Sequence, residues 1–236
     1  VSGSASLEGL EVVLADAGLI CATLSKLLEF EKHFGLTLCN CGLMDGVLAP
    51  LLARIVQDGP RMASLCMKST TSTTTATATT TMTTAEGVAE GEGVAVLVAA
   101  RALSGVCPLV CDTLCQLLRR STRNLDRYRT LGIQRFLVSM VRGLDADATK
   151  AALAVIEEVA TSTYDPTLLK DDIASLVETI QLHTHERWRQ TLIFASLTSI
   201  MTINPEAKEA WRTQYGFQTA VATLASLDGA FSGTRR

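Results

Sequence analysis

Residues 124–138 read NLDRYRTLGIQRFLV, and residues 207–221 read AKEAWRTQYGFQTAV. In each, a polar amphipathic turn runs into Arg-Thr, then two residues, then a glycine, then an apolar helix. Gly132 and Gly216 stand 84 positions apart, which is twice 42. A fainter copy, LLKDDIASLVETIQL, occupies 168–182, and another, CGLMDGVLAPLLARI, occupies 41–55. A recurrence near 42 residues is the mark of a helical solenoid, whose units bury their apolar faces only by stacking on one another. Such folds seldom carry out chemistry. They hold partners along a continuous surface.

Composition agrees with stacked helices. Of 236 residues, 47% are hydrophobic, enough for a sizeable core, while only 5% are aromatic. Ala, Leu, Val and Thr dominate, and small aliphatic side chains suit close helix contacts better than a sheet sandwich. The net charge of −3 provides no global field for nucleic acid. No run of 18 apolar residues exists, so no membrane span is expected. The chain opens on VSGSASLEG, without an initiator Met or a secretory signal, as a fragment or a processed form would. Seven cysteines, an odd number in a chain this long, argue against a disulfide framework and for a reducing compartment.

Helices are expected over 6–17 and 19–33, with Gly18 between them, and over 44–57, where Asp58-Gly59-Pro60 stops the turn. Residues 69–84, STTSTTTATATTTMTT, are low in complexity. Thr is a poor helix former and the stretch has no apolar face, so 69–92 is expected to be an exposed, flexible insertion. Further helices are expected at 93–104, 108–121, 124–131, 133–143, 146–161, 171–182, 185–202, 205–214 and 217–227. Asp145 or Asp147 caps the helix of 146–161. Asp165-Pro166 and Asn204-Pro205 each put a capping residue before a first-turn proline.

These residues resemble the armadillo repeat, a unit of three helices whose third members line a concave groove. The segment from Asn204 to Glu209 (NPEAKE) resembles the family's repeat start. Gly132 and Gly216 sit at the turn between first and second helices, and 149–160, TKAALAVIEEVA, resembles a third helix. The resemblance implies an all-α, right-handed α-solenoid of about five armadillo-like units. A degenerate helical repeat spans 1–34 and a second unit spans 35–68. The Thr-rich insertion takes 69–92, further repeats 93–230, and a tail 231–236. HEAT repeats share the period, and the glycine turn favours armadillo. Importin-like members carry Trp and, four residues on, Asn along successive third helices. Here those positions hold Asp112 and Gln116, Ala154 and Glu158, and Ala195 and Ser199. Binding of nuclear localisation signals is therefore not implied.

Candidate chemistry is sparse. Cys107, Cys111 and Cys115 share one helix face but span about 12 Å, too far to grip a single ion, so they read as packing residues. Cys39-x-Cys41 lacks further ligands, as does His183-Thr184-His185, beside Glu186. Arg119, Arg120, Arg123, Arg127, Arg129 and Arg135 form a locally basic segment suited to an acidic partner. Arg187 and Trp188 open a third helix, and both types are enriched at binding hot spots. No nucleophile elbow, zincin, P-loop or dinucleotide fingerprint occurs.

The expected function is thus non-catalytic: a protein–protein interaction scaffold, probed along its concave groove by a partner protein, within a larger complex. The expected contact residues are Asp112, Gln116, Arg119, Arg120, Arg123, Glu158, Arg187, Trp188 and Ser199. No catalytic residue, metal, cofactor, small-molecule substrate or nucleic acid is expected. Two alternatives stand beside it. One is an architectural subunit of a cytoskeletal or ciliary assembly, using convex faces and termini. The other is a chaperone cofactor resembling the armadillo nucleotide-exchange factors. A cytoplasmic location, cytoskeletal or ciliary in the second reading, follows from the reduced cysteines.

Overall fold

The computed structural model describes residues 16–26, 42–58, 105–119, 121–163 and 165–232, with the single positions 28, 37, 38 and 40. Readings that fall on residues 1–15, on Cys39, Cys41 and Cys66, on 69–92, on the helix of 93–104, on Arg120 and on the tail from 233 lie outside them.

Among the described residues the chain is all-α, with ten helices and no strand. They are α1 (16–26), α2 (43–58, with a π-helical turn at Met44–Leu48) and α3 (105–118). There follow α4 (Thr122–Thr130), α5 (Ile133–Gly143), α6 (Ala146–Ser162) and α7 (Pro166–Leu182). The last three are α8 (Arg187–Ile203), α9 (Glu206–Thr213) and α10 (Gly216–Ser232).

Local chemistry sets these boundaries. The Asp145 carboxylate accepts the Ala148 N–H at 2.9 Å and starts α6, while Asp165 accepts the Thr167 N–H at 2.8 Å ahead of Pro166. With Pro166 at the first helical position, α7 begins five residues earlier than the apolar pattern indicated. Asn204 serves two helices. Its Oδ1 accepts the Glu206 N–H at 3.1 Å, and its Nδ2 donates to the Ala160 carbonyl at 3.0 Å, closing the end of α6.

Two glycines depart from expectation. Gly18 does not separate helices. It lies buried within α1, where a Cβ would come 3.2 Å from Val106 of α3. Gly132 and Gly216, equated by the repeat, do different work. Gly132 adopts φ 64°, the left-handed conformation that turns α4 into α5. In the later copy Tyr215 takes that conformation, at φ 60°, and Gly216 instead leaves room for the Trp211 indole.

The core is aliphatic. Leu114, Ile133, Leu137, Met140 and Ile156 are fully buried, with Tyr128 the largest side chain among them. The helix contacts follow two rows. In one, α8 packs on α6, and Arg119, just past α3, pairs with Glu158 of α6. In the other, α5 packs on α7, and α7 on α9 and α10. Contacts of α5 with α6 and of α7 with α8 join the rows. Side-chain bonds between helices recur at intervals of 39 (Arg119 to Glu158), 43 (Arg129 to Asp172), 42 (Ser199 to Glu157) and 44 residues (Asn204 to Ala160). The interval seen in the sequence is therefore the interval at which neighbouring helices are tied together.

Candidate functional site

The row α3, α6, α8 carries most of the residues singled out from sequence. Asp112, Ala154 and Ala195 are exposed at matching positions, and one turn later Gln116, Glu158 and Ser199 are half-buried. The repeated register thus produces an outer column and an inner column along three helices.

Polar contacts join the inner column. Arg119 Nε donates to Glu158 at 3.4 Å, and its Nη1 reaches Gln116 at 3.5 Å. Across the next gap, Glu157 accepts from Ser199, and from Ser196 at 3.4 Å. The outer column is less free than its exposure indicates, because Ser25 of α1 donates to the Asp112 carboxylate. The arrangement brings carboxylates, an amide, hydroxyls and a guanidinium together along three helices, largely bonded to one another.

The remaining candidates stand elsewhere. Arg187 and Trp188 lie in the first turn of α8, and Trp188 is about 16 Å along the axis from Ser199. The Arg187 guanidinium donates to the Ser226 carbonyl of α10 at 3.2 Å. Trp188 remains exposed and is stacked by Arg189, whose guanidinium carbon lies 4.6 Å from the ring centroid. Arg123 is exposed on α4, a helix outside the row.

The basic segment divides by role. Arg129 is a tie within the protein: it donates to Asp172 at 3.0 and 2.7 Å and to Thr163 at 3.1 Å. Burial pushes the Asp172 carboxyl above its ordinary range, and the Arg129 guanidinium draws it back part of the way. Arg127 donates to Asp45 of α2, at 2.9 Å through Nε. Arg127 and Arg129 therefore serve as ties within the protein rather than as members of one surface patch.

Cys21, Cys107, Cys111 and Cys115 are free thiols and all are buried. Burial pushes Cys107 and Cys115 up to about 12 and raises Cys111 and Cys21 as well, so none is an activated nucleophile. Among the described residues no group of three metal-ligating side chains converges, and no helix is long and apolar enough to cross a membrane. His183 Nδ1 instead meets Glu186 at 2.8 Å, and Glu186 in turn accepts from Arg189 at 2.9 Å.

Sequence reasoning missed two features. Glu157 links α6 to α8, while Glu158 pairs with Arg119 just past α3. A hint was present: the Glu157-Glu158 pair puts one carboxylate on each side of a single helix. It also missed an open groove of about 360 Å³ between α8 and α10, which no motif announces. Comparison of the chain with protein families, curated proteins and solved structures finds no match.

Proposed function

We propose that the protein is a non-catalytic interaction scaffold, an armadillo-like right-handed solenoid that binds a partner protein along the row α3, α6, α8. One observation carries this reading. The positions Asp112, Ala154 and Ala195, and beside them Gln116, Glu158 and Ser199, repeat the same exposure, one turn apart, in the three helices of this row. A repeated surface of this kind matches the repeating backbone of a polypeptide. The rigid helices bring its polar groups to the partner already placed, so little ordering opposes binding. The buried free thiols fit a reducing compartment such as the cytoplasm.

The experiment is crosslinking mass spectrometry on the chain recovered from cells, beside the variants Glu158→Arg and Trp188→Ala. The expected result is a stoichiometric protein whose crosslinks fall on α3, α6 and α8 and whose recovery drops with Glu158→Arg. A chain that runs alone, or recovery indifferent to both variants, overturns the reading.

An architectural role in a larger assembly is the second reading. The exposed Phe217, Val221 and Leu224 on α10 favour it, because contiguous exposed apolar side chains mark contact surfaces.

A further inference from the structure

Most exposed hydroxyls on these helices are drawn back onto the backbone. Thr130, Ser139, Thr191, Thr198 and Thr202 each donate to the carbonyl four residues earlier, at 2.7 to 2.9 Å. Thr122 differs. It is exposed and is the first residue of α4, so its own helix has no carbonyl four residues back to receive it. Its neighbour Ser121 already serves as the cap, accepting the Asn124 N–H at 3.3 Å. Ser121 is also extended, at φ −127° and ψ 95°, the form in which a peptide segment lies in a binding groove.

The charges around Thr122 are of one sign. Arg119 and Arg120 stand three and two residues before it and Arg123 one after, and no carboxylate lies between Asp112 and Asp126 in the sequence. Arg119 and Arg123 are exposed, and the contact of Arg119 with Glu158 is long, at 3.4 Å. The chain holds its own controls. Thr130 follows Arg127 and Arg129 at similar spacing, but its hydroxyl donates to the Asp126 carbonyl, and those arginines are bound to Asp45 and Asp172. Thr213 follows Arg212, but Arg212 pairs with Glu209 and the Thr213 hydroxyl donates to the Ala210 carbonyl. Thr122 joins an untied hydroxyl to arginines that a kinase's carboxylates can read.

We propose that Thr122 is a phosphorylation site for an arginine-directed protein kinase, and that the phosphate is held where it forms. The Thr122 Oγ1 attacks the γ-phosphorus of ATP. A new O–P bond forms, and the bond from that phosphorus to the β–γ bridging oxygen breaks. ADP leaves with the bonding electron pair, and the hydroxyl proton passes to the kinase's base. The product carries a charge of about −2 at the first turn of α4, where the helix dipole favours an anion. Arg123 is adjacent. Three residues span at most about 11 Å, so Arg119 is within reach. Arg119 then exchanges its long contact with Glu158 for shorter charge-assisted bonds to phosphate, which loosens the tie from the end of α3 to α6. The modification stands without the partner-binding reading of that row.

The full, folded chain is treated with ATP and the catalytic domain of an arginine-directed serine/threonine kinase, and the sites are mapped by phosphopeptide mass spectrometry. Phosphate is expected at Thr122. Replacing Arg119 and Arg120 together by Ala lowers the rate at Thr122 at least ten-fold. Thr122→Ser retains the reaction, and Thr122→Ala abolishes it with Tm unchanged. No phosphate at Thr122, phosphate there only after denaturation, or a rate indifferent to the arginine pair overturns the site. Phosphorus NMR tests how the group is held. The second ionisation of a phosphothreonine falls at about pH 6, and it is expected at lower pH in the folded chain than in a phosphopeptide of residues 117–127. Replacing Arg119 and Arg123 by Ala in the phosphorylated chain returns it toward the peptide's value. A phosphate that titrates in the folded chain as it does in the peptide overturns its capture by α4.

Discussion

Gly216 lies so close beneath the Trp211 indole that a Cβ on it would come 2.0 Å from Cδ2. Trp211 is nearly buried and meets Phe194 and Phe217 edge-on, each at 6.3 Å between ring centroids. The indole cannot withdraw without losing these contacts. Gly216→Ala is expected to cost about 2–3 kcal/mol by overpacking, and Asn at that position is no better. At Gly132 the need is conformational, with open space around the missing Cβ. Gly132→Ala is expected to cost about 1–2 kcal/mol, and Gly132→Asn less, since Asn tolerates the left-handed region. Urea denaturation of the four variants, with Gly216→Ala combined with Trp211→Leu as the coupling test, checks this. Equal responses of the two sites to Asn would remove the distinction.

Arg129 and Asp172 tie α4 to α7 through two hydrogen bonds, with side chains 16% and 2% exposed. Removing one member strands a buried charge. Asp172→Ala is expected to destabilise by about 3–5 kcal/mol, while a paired Arg129→Met, Asp172→Leu replacement costs far less. Chemical denaturation of the single and double variants provides the test. A double variant as unstable as the sum of the singles contradicts it.

Much of this fold was legible because its cause is local. Asp145 and Asp165 cap the helices that begin beside them, and the spacing of Ile133, Leu137, Met140 and Val141 defines the inner face of α5. The interval near 42 residues also survives as the separation between bonded side chains. What was not legible depends on neighbours distant in sequence. The second copy's turn uses Tyr215 where the first uses Gly132, because the Trp211 indole claims the space at Gly216. Arg129 and Arg212 share an Arg-Thr context, yet one is tied to Asp172 across helices and the other pairs with Glu209 at the surface. Of the candidate residues, Gln116, Glu158 and Ser199 were marked by the repeat register, which is local to each helix. The contact of Glu157 was not legible, because it depends on Ser196 and Ser199 lying across the gap.

Glu186 bridges His183 and Arg189 where α7 gives way to α8. Burial alone would raise its carboxyl, but His183 and Arg189 together hold it below the ordinary 4.5. A carboxylate with a depressed value in the folded protein contributes stability above its unfolded value. That contribution is lost as pH falls through the folded value. Glu186→Gln is therefore expected to flatten the decline of Tm below pH 4.5 and to lower Tm slightly at neutral pH. Thermal melts across the acidic range check the sign. A variant whose Tm falls with acid as steeply as the parent's would show that the carboxylate does not titrate against this cluster.

The thiols of α3 make a built-in reporter of opening. Cys107 and Cys115 sit in the core with values pushed up to about 12, and burial also raises Cys111 between them well above its ordinary value. At pH 8 the thiolate fraction in the folded state is on the order of one in ten thousand, so alkylation is expected to wait for α3 to be exposed. Iodoacetamide labelling followed by peptide mass spectrometry should find these three unmodified in buffer and modified together in denaturant. Their labelling rate should rise with destabilising variants such as Asp172→Ala, because opening of the core sets it. Rapid modification of Cys111 in the native protein, at a rate indifferent to such variants, would place α3 at the surface and dissolve the row on which the proposed site depends.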